Sequence, residues 1–241
     1  MRSLLLVIDL TPELLEQAQS SGADALILDV TENSASEATQ RELVGRFLTA
    51  IQDDENRPLI FFRLGPIDAD SIDAELAALM PGEPDGFVLR ECRSGMDVQQ
   101  LATKLAVHEA ECDLGDGQTA VIAEAGTAAS SLFSMGSYRD ASARLLGLAW
   151  DARTLAQDLG AEAIREADGS LLHPLALARS LTLIGARAAD VAAIDGPGDA
   201  GLEAGAFRAA CEKARRDGFN AKIATTPDEV RIINDVFDRD V

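Results

Sequence analysis

Eight short apolar runs, each followed by a segment of helical periodicity, recur from one end of this 241-residue chain to the other. The runs are Leu4–Ile8, Ala25–Leu28, Leu59–Phe62, Gly86–Leu89, Ala120–Ala123, Leu145–Ala149, Ala192–Ile194 and Ala221–Ile223. Most are apolar throughout rather than alternating, the pattern of parallel strands buried on both faces. Between them helices are expected over 12 onward, 36–50, 71–79, 95–110, around Ser130, and over 152–159, 174–187, 203–217 and 227–237. Thr11-Pro12-Glu13 opens the first, with Thr11 placed to cap and Pro12 at the first helical position. In the last, Val230, Ile233 and Val236 share one face. Eight strand–helix pairs in one domain spanning residues 1–241 lead to a (β/α)8 TIM barrel; an open doubly wound sheet is the runner-up. Asp9-Leu10-Thr11-Pro12 stands where a dinucleotide-binding sheet would carry its glycine-rich turn, which counts against that runner-up.

Aromatic residues make up only 4% of the chain, so Leu, Ala, Ile and Val must fill the core. The formal net charge of −20 excludes nucleic acid and anionic membranes as partners in the absence of a local basic patch. The densest basic cluster, Lys213, Arg215 and Arg216, closes an expected helix, where cations complement the dipole. No apolar run approaches the ~20 residues of a membrane span. Asp9 interrupts the N-terminal apolar run early, pointing to a buried first strand rather than a secretory signal. Cys92, Cys112 and Cys211 are odd in number and widely spaced, consistent with free thiols and a cytoplasmic setting. His108 and His173 have no partner at metal-ligand spacing, and Ser130, Ser131 and Ser180 lack a nucleophile elbow. Cys92 lies between Arg90 and Arg93, yet an inert buried thiol is the commoner outcome. Trp150, the lone tryptophan, is expected in the core or an interface.

The stretch Leu145–Gly160, LLGLAWDARTLAQDLG, resembles a segment of the citrate lyase beta-subunit family (HpcH/HpaI aldolases) that reads roughly L-A-F-G-A-E-D-L-A-x-D-L-G. Leu148, Ala149, Leu155, Ala156, Asp158, Leu159 and Gly160 keep its frame, while Arg153 and Thr154 stand in place of its central acidic pair. Similar matches cover nearly the whole chain: Arg2-Ser3, Gly22-Ala23-Asp24-Ala25, Ile27-Leu28-Asp29, Phe62-Arg63-Leu64, Ala193-Ile194-Asp195-Gly196, Gly218-Phe219 and Lys222. The resemblance implies a magnesium-dependent carbon–carbon lyase, cleaving a small hydroxy or keto acid or its acyl-CoA thioester. The metal would sit on carboxylates beyond strands five and six, with an arginine after strand three gripping the substrate carboxylate.

Carried onto this chain, Arg63 is the carboxylate-binding and catalytic candidate, and Glu32 a second substrate-binding candidate after strand two. Glu124 is the candidate metal ligand; Thr154 replaces the second, and Asp151 could supply a substitute carboxylate. Each has a plainer reading: a rim salt bridge for Arg63, a solvated charge for Glu32, a solvent-facing or helix-capping acid for Glu124, and an N-cap for Asp151. Two functions follow: a lyase of altered specificity with magnesium as cofactor, or a catalytically silent relative acting as a ligand-binding or partner subunit. The resemblance also implies a homo-oligomer, possible as a trimer, and a small carboxylate or acyl-CoA ligand.

Overall fold

In a computed structural model, the chain closes into a barrel of eight parallel strands in sequential order, β1-β2-β3-β4-β5-β6-β7-β8, with β8 paired back onto β1. The structure describes residues 1–30, 37–51, 54, 56–199 and 201–238, with backbone alone for 37–42. The strands are β1 (Ser3–Val7), β2 (Ala25–Asp29), β3 (Leu59–Leu64), β4 (Gly86–Leu89), β5 (Ala120–Gly126), β6 (Leu145–Trp150), β7 (Ala192–Asp195) and β8 (Ala221–Ala224). The helices are α1 (Pro12–Gln19), α2 (Glu37–Ile51), α3 (Ile72–Leu79), α4 (Gly95–Glu111), α5 (Ala129–Leu132), α6 (Ala152–Asp158), α7 (His173–Ala188), α8 (Ala204–Asp217) and α9 (Pro227–Phe237). The strands and helices fall within a residue or two of the positions expected from the sequence, except that β5 extends three residues further.

Local chemistry sets the helix starts. Thr11 accepts from the Leu14 amide, Asp151 from Thr154 and Thr226 from Glu229, each satisfying one orphan N–H. Proline occupies the first turn of α1, α7 and α9, where its missing N–H costs nothing. Gly218 ends α8 in the left-handed conformation, at φ 112°, that its missing Cβ permits.

Period-two alternation divides the core into two layers. Leu4, Ala25, Ile27, Phe61, Val88, Ile122, Ala149, Ile194, Ala221 and Ile223 fill the barrel interior. Their strand neighbours, such as Leu26, Phe62, Phe87, Ala123 and Leu148, face the helices, where the larger apolar layer lies. A fully buried Leu or Phe side chain contributes about 1.5–3 kcal/mol relative to exposure. The layers also decide where chemistry can sit. Two residues beyond an interior position the side chain again faces inward, so Asp29, Arg63, Arg90, Glu124 and Asp151 fall at the barrel's C-terminal mouth. Active sites of this fold occupy that face.

Candidate active site at the barrel mouth

Asp29 and Arg63 are direct register partners on β2 and β3, and Glu124 lies on β5. Arg63 is the hub. Its Nε and Nη2 donate to Glu124 Oε1 and Oε2 at 2.8 and 2.9 Å, a side-on fork, while Nη1 donates to Asp29 Oδ2 at 2.9 Å. All three are buried: Asp29 is 0% exposed, Arg63 8% and Glu124 6%. Burial opposes the Arg63 charge, but the two carboxylates outweigh it and raise its pKa further, so the guanidinium stays charged. Burial pushes the Glu124 carboxyl above the usual range; Arg63 offsets part of that, and Asp151 adds to the push.

The Glu124 backbone is fixed as well. Its carbonyl accepts from the Cys92 amide at 3.2 Å and from the Thr127 hydroxyl at 2.9 Å. Cys92 is itself anchored by Tyr138, whose hydroxyl donates to the Cys92 carbonyl at 2.9 Å. Burial raises the Cys92 thiol to about 12, so the neighbouring arginines do not activate it. The β5–β6 register slips between Glu124 and Gly126. An added Cβ at Gly126 would fall 2.5 Å from the Trp150 Cβ and collide with the Thr182 hydroxyl, so only glycine allows this approach.

The structure brings Arg63 and Glu124 together. Asp151 stands after β6, where its Oδ1 accepts from the Thr154 amide at 2.7 Å as the N-cap of α6. Its charge also acts on Glu124. Glu32 lies outside the described residues. Asp29 was not among the candidates read from the sequence. The available signal was its place two residues beyond Ile27, inward-facing at a strand end.

Behind the mouth lies a second polar cluster on the outer face of β7 and β8. Asp195 accepts from Trp150 Nε1 at 2.8 Å, from Arg179 Nε at 2.9 Å and from Lys222 Nζ at 3.0 Å. Burial works against its charge, but Lys222 and Arg179 more than compensate, holding its pKa at about 2. Trp150 is thereby tied to β7, with its ring among the core residues that face the helices.

The profile of HpcH/HpaI aldolase/citrate lyase matches residues 2–227. The chain belongs to the HpcH/HpaI aldolase/citrate lyase family. It is 27% identical to the (3S)-malyl-CoA thioesterase of Cereibacter sphaeroides over 246 residues, covering 98% of this chain and 76% of that one. Among solved structures, RipC from Yersinia pestis superposes with a TM-score of 0.74 at 23% identity, covering 99% of this chain and 95% of RipC. The citrate lyase beta subunit of Mycobacterium tuberculosis, complexed with oxaloacetate and magnesium, gives 0.76 at 21% identity, covering 98% and 96%. CitE of the same organism, in complex with magnesium, acetoacetate and coenzyme A, gives 0.74 at 20%, covering 98% and 80%. At these identities the structural likeness establishes the barrel fold. No described helix is long and apolar enough to cross a membrane.

Proposed function

We propose that this family member binds a small carboxylate, a keto or hydroxy acid or its acyl-CoA thioester, through Arg63 at the barrel mouth, without a resident magnesium ion. The observation that carries this reading is the state of the Arg63 fork. A guanidinium has five N–H donors. Three are taken by Glu124 and Asp29, leaving one on each terminal nitrogen for the two oxygens of an incoming carboxylate. The side-on grip of Glu124 holds the guanidinium plane fixed, so little rotamer entropy is lost when a ligand binds.

The donor set does not fit a magnesium centre. Both Glu124 oxygens already accept from Arg63, so a cation on either would be repelled by a guanidinium bound to the same carboxylate. Thr154 stands at the second metal position implied by the sequence resemblance, and Asp151 spends one oxygen capping α6. Among the described residues no group of three or more His, Cys, Asp or Glu side chains converges to hold a metal. Magnesium demands near-octahedral oxygen coordination, and the carboxylates at the mouth already accept from Arg63 or from the start of α6. Arg63 is then the mouth's resident cation, and the family's lyase chemistry gives way to ligand binding.

One observation favours the second reading, a metal-dependent lyase: the Asp151 charge adds to the upward push on the Glu124 carboxyl, so two carboxylates act on one another at the mouth. Calorimetric titration with oxaloacetate, in EDTA and then in excess magnesium, separates the readings. Binding of equal affinity in both buffers, weakened in Arg63→Lys, is the expected result. Binding seen only with magnesium and lost in Glu124→Ala, together with formation of glyoxylate and acetyl-CoA from malyl-CoA, would establish the lyase. No heat in either buffer overturns the carboxylate reading.

A further inference from the structure

Away from the mouth, a groove of about 600 Å³ runs between α7 and α8 over the outer face of β7 and β8. Its floor is the buried cluster of Trp150, Asp195 and Lys222, each no more than 5% exposed. Its apolar walls include Leu171, Leu183, Leu202 and Phe219. Two features mark it as more than a packing gap.

The first is charge. Four basic residues, Arg165, Arg179, Lys213 and Lys222, line it against three carboxylates, in a chain whose net charge is −20. A groove with a surplus of one positive charge is an exception on such a molecule and selects a single negative charge. The second is spare hydrogen-bonding capacity at the floor. Lys222 Nζ donates to Asp195 Oδ2 at 3.0 Å and to the Gly196 carbonyl at 2.7 Å, using two of its three N–H groups. Arg179 spends three of five donors, on Asp195 through Nε and Nη2 and on Asp217 through Nη1. It lies over the Phe219 ring at 4.5 Å, which holds its plane in place.

We propose that this groove is a second ligand site, taking an aliphatic carboxylate whose head group meets the free donors of Lys222 and Arg179. Its chain would lie along Leu183, Leu171 and Leu202, where burial of methylenes stabilises the complex. A carboxylate is preferred over a phosphate monoester because the lining carries one surplus positive charge, whereas the monoester carries about −1.5 to −2 at neutral pH. The site is independent of the mouth: none of Asp29, Arg63 and Glu124 lines it.

Trp150 is the single tryptophan and lines the groove, so intrinsic fluorescence reports occupancy directly. Octanoate titrated into the full chain should change the emission saturably. Octanol, which lacks the charge, and acetate, which lacks the chain, should bind at least tenfold more weakly. Ala210→Phe fills the groove from α8, where Ala210 is only half-buried, and should weaken octanoate at least tenfold; Lys222→Met should do the same. Arg63→Lys should leave octanoate binding unchanged. A non-saturable response, equal affinity for octanol, or indifference to Ala210→Phe would overturn the proposal. Loss of the signal in Arg63→Lys would place the ligand at the mouth instead, and tighter binding of octyl phosphate would refute the head-group assignment.

Discussion

Replacing Arg63 by methionine keeps the length of the side chain and removes its charge and all three buried hydrogen bonds. Asp29 and Glu124 would then both lose the guanidinium that binds them; their side chains are 0% and 8% exposed, and water reaches them poorly. Removing one partner of a buried ion pair costs about 3–5 kcal/mol, most of it the desolvation of the charge left behind. Two carboxylates lose a shared partner at once, which puts this case at the upper end. For a chain of this size each kcal/mol moves the melting temperature by about 2–4 °C, so a fall of roughly 6–20 °C is expected. Arg93 pairs with Asp68 at 2.9 Å on the surface, with side chains 50% and 57% exposed, and supplies the control. Arg93→Met should cost no more than about 1 kcal/mol. The sign with pH is also fixed. A buried carboxyl whose pKa is raised binds more protons folded than unfolded, so stability falls as pH rises above its ordinary value. Glu124 already lies on that side, and losing Arg63 moves it further. Arg63→Met should therefore recover part of its loss between pH 7 and pH 5. Neutralising the carboxylates too, in Arg63→Met with Asp29→Asn and Glu124→Gln, should restore most of the stability. Differential scanning fluorimetry and urea unfolding both measure this. A single variant within 1 kcal/mol of wild type, or a triple variant no better than the single, refutes the buried-clamp reasoning.

Three other outcomes follow from the same coordinates. Burial works against the Glu109 charge, but Arg144 at 2.6 and 2.7 Å and the Thr119 and Gly117 amides outweigh it, bringing its pKa to about 2. That stability is present above the ordinary carboxylate range and is lost as pH falls through about 2, so Glu109→Gln should cost about 3 kcal/mol at pH 7 and progressively less in acid. Cys92 and Cys211 are buried, with pKa values raised to about 12 chiefly by burial, whereas Cys112 is half-buried. A thiol reagent at pH 8 should label Cys112 first and the other two only on unfolding; rapid labelling of all three would contradict the packing. An added Cβ at Gly95 would lie 2.7 Å from the Ser137 carbonyl carbon and against its oxygen, both backbone atoms. Gly95→Ala should therefore destabilise the start of α4, although alanine is the better helix former, and a neutral or stabilising result in urea unfolding would count against that contact.

Strand positions were legible because a parallel barrel buries both faces of each strand, leaving apolar runs such as Leu26-Ile27-Leu28 and Phe87-Val88-Leu89 in plain view. Arg63 and Glu124 were legible as charges closing such runs. What they do to each other was not, since β3 and β5 are separated by β4 and only the curvature of the closed barrel brings their side chains together. Asp29 was hidden for the same reason: it reads as a polar strand end until its register partner is known to be Arg63. The cluster at Asp195 was less visible still. Trp150, Arg179, Asp195 and Lys222 come from four separate elements, and a lone charge in a short strand reads equally well as a strand boundary. The capping role of Asp151 was foreseeable from its place before α6, because a helix start needs an acceptor whatever the mouth requires.

The most direct test of whether Arg63 rather than a metal is the mouth's resident cation is electron paramagnetic resonance of free manganese titrated with this protein. The signal of uncomplexed Mn²⁺ should persist undiminished at submillimolar protein, and Glu124→Ala should leave it unchanged. Loss of that signal with wild type, and its return with Glu124→Ala, would contradict the assignment and put a divalent ion on Glu124.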